Sequence, residues 1–392
     1  MGRAGLVQVD VLDDERRAEL LENRGADAHP AIIVEAMAAI RPFRALRYDE
    51  AAAGPLGRLV APPYDVISPE QRLDYLARDP HNVVHLTLPD SEEQAARDLA
   101  AWRAGGVLCE EPEPAYWWLS QNYTGPDGVE RRREGFVAAL RAEPYERRVV
   151  LPHERTHAGP KEGRLRLLRA TRTHLEPIFL LWDGMIDVEG LGEPDLAVDE
   201  SGVTARLWRL DPEFGDALTE ELRDAQLLIA DGHHRYETAL AFHAEDGSEE
   251  SAWLMAVIVP TDQEGLTIFP THRVAQAVNG VAGTPIDRPG DDLPGDDLPG
   301  LVLYREGRYE LLESDGLDPD AVDRLAPEGV TYTPHAGEAV AAVDRGEAEA
   351  AFLLRPTRIE DVWAVASRGE VMPQKSTFFY PKLTSGLLFH PL

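Results

Sequence analysis

Apolar and polar positions alternate between helix-like and strand-like periods along the chain, and Gly, Pro, Ser and Asp punctuate the switches. Residues 59–62 form a short apolar run closed by Pro62-Pro63, which predicts a strand end. Ser68-Pro69-Glu70-Gln71 reads as a helix start, with Ser68 as N-cap, Pro69 at the first helical position and acid in the first turn. The alternating VVHLTL of 83–88 predicts a strand, and 91–105 a helix opened by Ser91 and stopped by Gly105-Gly106. Segments 115–124 and 132–140 flank Gly125-Pro126-Asp127-Gly128, the pattern of a β-hairpin. Further on, helices are expected over 165–173, 212–223 and 236–244, and strands over 177–182, 203–210 and 225–230. A hairpin over 252–260 and 266–269, another over 301–312, two helical stretches, a strand at 351–354 and a proline-punctuated tail from Met372 complete the reading.

Helices mix with short strands and frequent hairpins, without a regular βαβ rhythm. The expected class is therefore α+β with a mixed sheet. Four regions are expected: a polar N-terminal extension (1–36, with a short helix over 13–21), an α+β core (37–280), a loop or linker (281–300) and a C-terminal α+β portion (301–392). The linker contains PGDDLPGDDLPG, whose prolines, glycines and aspartates suit neither helix nor strand.

The composition narrows the function classes. The chain has 392 residues, 43% hydrophobic and 28% charged, the balance of a globular protein with ample core. With 70 Asp+Glu against 39 Lys+Arg the formal charge is −31, which disfavours binding to a phosphate backbone, so no nucleic-acid partner is expected. No apolar run spans a bilayer and no leader pattern opens the chain. The expectation is a cytoplasmic protein with no membrane partner, and a homo-oligomer is left open. The lone Cys109 leaves no partner for an internal disulfide, a Cys-rich zinc site or a two-cysteine redox motif.

The richest chemistry lies in residues 225–244, AQLLIADGHHRYETALAFHA. An apolar run ends at Asp231-Gly232 and a helical pattern follows at once, so His233, His234 and Arg235 fall at a helix N-terminus. Unpaired amides, the helix dipole, an Arg and two imidazoles make an anion site suited to phosphate, with Gly232 supplying the sharp turn. Asp231, at the strand's carboxyl end, is a candidate to hold magnesium or orient a substrate hydroxyl. In 151–169, LPHERTHAGPKEGRLRLLR, the formal HExxH match is interrupted by Pro152 and Gly159-Pro160, which argues against zinc. The better reading is a polar loop presenting Glu154 as a general base among His153, Arg155, Thr156, Lys161 and Arg164. Tyr64 and Asp65 in APPYDVI (61–67), and Lys375 and Lys382 in PQKSTFFYPK (373–382), are accessory candidates. The isolated His81, His85, His174, His335 and His390, and Trp117, Trp118 and Trp253, read as structural.

APPYDVI, PHERT with Lys161 and Arg164, ADGHHRYETAL and KSTFFYPKL occur in order. With them the chain resembles the bacterial family known as domain of unknown function 1015, from about Arg41 to the C-terminus. DGHHR is also similar to the phosphate-binding motif of the ParB/sulfiredoxin fold, and within it to the free-serine kinases. That resemblance implies a ParB/sulfiredoxin-like core and phosphoryl transfer to a small hydroxyl substrate from ATP or ADP with Mg²⁺. By the same resemblance Glu154 would be the base, His233, His234 and Arg235 would hold phosphates, and Asp231 would assist metal or substrate. Sulfiredoxin chemistry needs a Cys in this motif and is excluded. Two other readings share the anion site: a nucleotide-sensing protein without a competent base, and a phosphatase of a phosphorylated metabolite.

Overall fold

The structure is a computed structural model; it describes residues 38–154, 158–186, 188, 190–287, 298–314, 316–326 and 328–392, apart from the side chains of Ala158, Pro160, Pro212 and Glu213. The expected helix over 13–21, Thr156 and most of the PGDDLPGDDLPG repeat lie outside the described residues.

Among the described residues nine strands form the main sheet: β1 (Ile40–Arg41), β2 (Trp117–Thr124), β3 (Glu130–Arg141), β4 (Val150–Leu151), β5 (Ile178–Trp182), β6 (Leu196–Glu200), β7 (Val203–Arg209), β8 (Leu227–Asp231) and β9 (Trp253–Pro260). Their order is β4-β8-β5-β9-β3-β2-β7-β6, with β1 paired to the end of β3. β8 runs parallel to β4 and β9 parallel to β5; the other pairs are antiparallel. The mixed α+β class follows directly.

Both faces of this sheet are covered, which explains why its central strands read as unbroken apolar runs. In β8, Leu227 and Ile229 point into one core, while Leu228 and Ala230 point into the other. Helices α4 (Pro212–Leu222) and α5 (His233–Asp246) cover the first face with Phe214, Leu218 and Tyr236. Helices α1 (Pro69–Arg78) and α2 (Glu92–Ala104) cover the opposite face with Tyr75, Leu99 and Trp102. The helix starts agree with their sequence signals: Ser68 forms a capping box with Gln71, and the Ser91 side chain accepts from the Gln94 amide. Trp117, Trp118 and Trp253 are core residues, as expected.

A second, all-antiparallel sheet contains β10 (His272–Ala275), β11 (Thr284–Ile286), β12 (Leu301–Arg305), β13 (Arg308–Leu312), β14 (Val330–Thr333) and β15 (Ala350–Leu353), in the order β11-β13-β12-β15-β10-β14. Sheet membership therefore departs from the boundaries expected at 280 and 300. β10 belongs to the second sheet, and β11 lies inside the segment read as a linker.

The tail departs further, because it returns to the first unit. Phe378–Tyr380 pairs with Thr267–Phe269, His390–Pro391 pairs with Thr173–His174, and Phe389 exchanges both backbone hydrogen bonds with Leu46. This is also why 252–269 is not a hairpin: its second arm is taken by the tail, while β9 lies between β5 and β3. Residues 59–62 contribute only a bridge from Ala61 to Ser385. The expected strand at 83–88 is instead one helical turn, Val84–Thr87. There the buried Asn82 accepts the Val84 amide with its side-chain oxygen and donates its amide nitrogen to the carbonyls of Arg58 and Val60. Val83, Val84, Leu86 and Thr87 are all buried, so the apolar alternation there did not mark one exposed face. Helix α3 (Ala158–Thr171) starts earlier than expected, with Gly159-Pro160 in its first turn. Among the described residues no helix is long and apolar enough to cross a membrane.

Phe389 is fully buried beside Leu46 and Tyr48 in the larger core. Phe389→Ala is expected to destabilise the protein by about 3–5 kcal/mol, measured by urea unfolding; a loss below about 1 kcal/mol would show that the tail is not an integral part of the core.

Candidate functional site

β4 and β8 are parallel neighbours, so the segments leaving them emerge on the same edge of the sheet. This pairing brings His153-Glu154 beside Asp231-Gly232 although they are distant in sequence. The tail follows, with Glu154 bridged to Met372 and the Met372 amide donating to the His153 carbonyl at 2.8 Å. The result is a cavity of about 400 Å³, within the roughly 300–1,000 Å³ typical of small-molecule sites. Tyr64, Asp65, Glu154, Asp231, Gly232, His233, His234, Arg235, Lys375 and Lys382 all line it. Thr271, Tyr332, Thr333 and Pro334, from in and around the second sheet, form the facing wall.

Gly232 has φ +97°, and a Cβ there would lie 3.0 Å from Ile178 Cγ2 and 3.2 Å from Arg235 Cζ, so only glycine suits both the turn and the space. Helix α5 begins at His233 with no side-chain cap, and its first residues, His233 to Arg235, line the cavity.

Asp231 has only 14% of its side chain exposed and is held by two cations. Arg235 donates to Oδ2 at 2.6 Å, and Lys382 Nζ donates to Oδ1. Burial alone would raise the Asp231 pKa, but Lys382 and Arg235 hold it well below the usual carboxylate range. Both carboxylate oxygens thus already accept from a cation, and in this structure Asp231 serves as the anion between Arg235 and Lys382. No cluster of three or more His, Cys, Asp or Glu suited to a metal occurs among the described residues. Arg235 also donates to the Pro177 carbonyl, so it serves as a clamp more than as a free phosphate ligand.

Two of the imidazoles near the cavity, His153 and His233, are not cations. His153 is 1% exposed, and burial lowers its pKa to about 4. Its Nδ1 lies 2.6 Å from the Ile229 carbonyl and its Nε2 2.9 Å from Thr377 Oγ1. His233 is likewise buried, its pKa pushed well below the ordinary value by burial and then by the neighbouring His153. Its Nε2 accepts the His153 amide at 3.3 Å. Both rings are neutral at physiological pH and meet edge to face at 4.8 Å.

Glu154 behaves differently. Burial raises its pKa, against the opposing pull of the Lys375 amide and the Lys375 and Lys382 ammonium groups. Its Oε1 accepts the Lys375 amide at 3.2 Å. Lys375 is exposed at the rim, with φ +55°.

Lys161 and Arg164 do not line the cavity. Lys161 pairs with Glu237 at 3.1 Å, while Arg164 stacks on the Tyr64 ring at 4.1 Å and donates to the Thr87 carbonyl. Arg164 thereby braces the loop that carries Tyr64, while Lys161 ties α3 to α5. Three supporting residues escaped the sequence reading. Glu176 accepts the Tyr64 amide at 3.0 Å and the Ser385 hydroxyl at 2.8 Å, joining the APPYDVI loop to the tail. Arg133, 1% exposed, donates to the Gln121 side chain and the Pro381 carbonyl, and Arg273 donates to the carbonyls of Thr271 and Gln374. A buried Arg in a strand leaves no local signal of the carbonyl it will meet.

Asp231→Asn is expected to destabilise the fold toward the lower end of about 3–5 kcal/mol, since it leaves two largely buried cations without their anion. A depressed folded pKa contributes stability that is present above the unfolded pKa. The gap between wild type and variant should therefore hold at neutral pH and narrow as pH falls below about 4. Urea unfolding at pH 7 and pH 3 measures both; equal stability at pH 7 would refute the clamp.

A family model described as "Protein of unknown function (DUF1015)" matches residues 40–285. No curated protein matches the chain. Similar solved structures include a conserved hypothetical protein from Pyrococcus furiosus, at 16% identity over 61% of this chain and 92% of that one, with a TM-score of 0.33. A free serine kinase in complex with AMP shares 17% identity over 61% of this chain and 89% of its own, with a TM-score of 0.34. SbnI with a C-terminal truncation, from Staphylococcus aureus, shares 10% identity over 64% and 85% respectively, with a TM-score of 0.38. At these identities and scores no residue role transfers from them. The family match spans more than half of the chain, which therefore belongs to the DUF1015 family.

Proposed function

We propose that the cavity binds a nucleotide and that the protein transfers a phosphoryl group from ATP or ADP to a small, serine-like hydroxyl metabolite. The observation that most supports this reading is the position of Glu154. A carboxylate whose proton affinity is raised by burial lines the same cavity as the uncapped N-terminus of α5 and two lysines. The likeness of DGHHR to a phosphate-binding segment supports it as well.

In this mechanism the phosphates lie against the first amides of α5 and the Lys375 ammonium. The triad of Asp231, Arg235 and Lys382 adds a net positive charge without a loose side chain. The substrate oxygen attacks the terminal phosphorus and Glu154 accepts its proton. The bond from that phosphorus to the bridging oxygen breaks, and the shortened nucleotide leaves. Magnesium enters with the nucleotide phosphates as part of the substrate, and no described carboxylate is assigned to it. Tyr64 and Asp65 border the cavity, and in this reading they contact the acceptor.

Two outcomes test this reading. Glu154→Gln should lower turnover by about 10²–10⁴-fold while nucleotide affinity, measured by calorimetry, stays within about twofold. Affinity retained with no turnover in the wild type, across ATP or ADP, Mg²⁺ and a panel of hydroxyl amino acids and polyols, would instead indicate a sensor. Phosphate release from phospho-amino acids without nucleotide would indicate a phosphatase. Because the base must be ionised, kcat/KM should rise with pH through an inflection above the ordinary Glu value of about 4.3. The Gln variant should lose that inflection; a wild-type profile flat between pH 4 and 8 would remove Glu154 from the mechanism.

A further inference from the structure

Thr377 lines the same cavity, and the proposed mechanism does not use it. Its Oγ1 lies 2.9 Å from His153 Nε2, and His153 Nδ1 lies 2.6 Å from the Ile229 carbonyl. A carbonyl only accepts, so Nδ1 carries the ring proton. The ring is neutral, so Nε2 presents a bare lone pair. Thr377 must therefore donate its hydroxyl proton to Nε2, leaving both oxygen lone pairs for an incoming electrophile. This is the arrangement of an activated nucleophile: a hydroxyl, a base in hydrogen-bond reach, and a third group that orients the base. The adjacent Ser376 makes a useful contrast. It is 5% exposed, its hydroxyl donates to the Pro373 carbonyl at 2.6 Å, and it is absent from the cavity wall.

We propose that Thr377 is a self-phosphorylation site, modified by the nucleotide bound in this cavity. The inference rests on the nucleotide-binding reading above. Thr377 Oγ1 attacks the terminal phosphorus and an O–P bond forms. The bond between that phosphorus and the bridging oxygen breaks, releasing ADP from ATP or AMP from ADP. The hydroxyl proton moves along its hydrogen bond to His153 Nε2 and is handed on at once to a phosphate oxygen or to solvent, because burial disfavours a lasting imidazolium. The phosphothreonine dianion then shares the cavity with Lys375 and Lys382 and the amides of α5, a setting that favours it. It also occupies the space that the nucleotide's terminal phosphate needs, so the modified form should bind nucleotide more weakly.

The test incubates the full chain with ATP or ADP and Mg²⁺, then localises any added phosphate by tandem mass spectrometry. Nucleotide binding is measured in parallel by calorimetry. The expected result is a single phosphoryl addition at Thr377, absent in Thr377→Val and present in Thr377→Ser, with thermal unfolding confirming that both variants fold. If nucleotide binds and the small-molecule substrate is phosphorylated while Thr377 stays unmodified, this inference fails and the proposed function stands. Phosphate found only on Ser376 or elsewhere also overturns it. If no nucleotide binds, both fail together.

Discussion

The arrangement of the site depends on one buried carboxylate. Asp231 ends a strand between two cores and remains ionised because Arg235 and Lys382 each take one of its oxygens. An ionised carboxylate without partners in this setting would be strongly disfavoured. Arg235 comes from the next helical turn, but Lys382 arrives from the far end of the chain. The strand edge and the tail are therefore coupled electrostatically, and the cavity has its complete wall only when the tail is in place. Arg133 and Glu176 extend this coupling to the Pro381 carbonyl, the Ser385 hydroxyl and the Tyr64 amide.

Burial sorts the remaining ionisable groups by sign and by role. It discharges the His153 and His233 imidazoles, which become directional hydrogen-bonding groups in place of cations. The same low dielectric raises the proton affinity of Glu154, moving a carboxylate toward the range in which a general base works. Positive potential at the cavity then comes from helix amides and lysines. The proposed anion site is compatible with a net charge of −31, because a local field from oriented amides and nearby ammonium groups acts over a few ångströms while the bulk of the acidic surface is screened by solvent.

The second sheet contributes Tyr332 and Thr333 to the facing wall, and the Arg273 guanidinium holds the Gln374 carbonyl just before Lys375. The two sheets are thus joined through the site itself, which places the cavity where two packed units and a returning strand meet. Such junctions commonly hold ligands, because concavity arises there without sacrificing either core.

Signals confined to a few consecutive residues were legible in the sequence alone. Ser68 and Ser91 cap helices, Gly232 takes the left-handed turn before α5, and the apolar runs of β8 and β9 mark strands buried on both sides. The segments bearing Glu154, Asp231, His233, Lys375 and Lys382 were also marked by their unusual polar content. Tertiary structure alone decided what depends on distant pairing. It turned 83–88 into a helical turn around Asn82, gave the strand Thr267–Phe269 to the tail, and placed β11 in the supposed linker. It also moved Lys161 and Arg164 out of the cavity, made Asp231 a clamp, and joined Thr377 to His153. Local conformation is set by the neighbouring residues. The partner of a buried charge or an unpaired strand edge is chosen by which distant segment can reach it, and no local pattern encodes that choice.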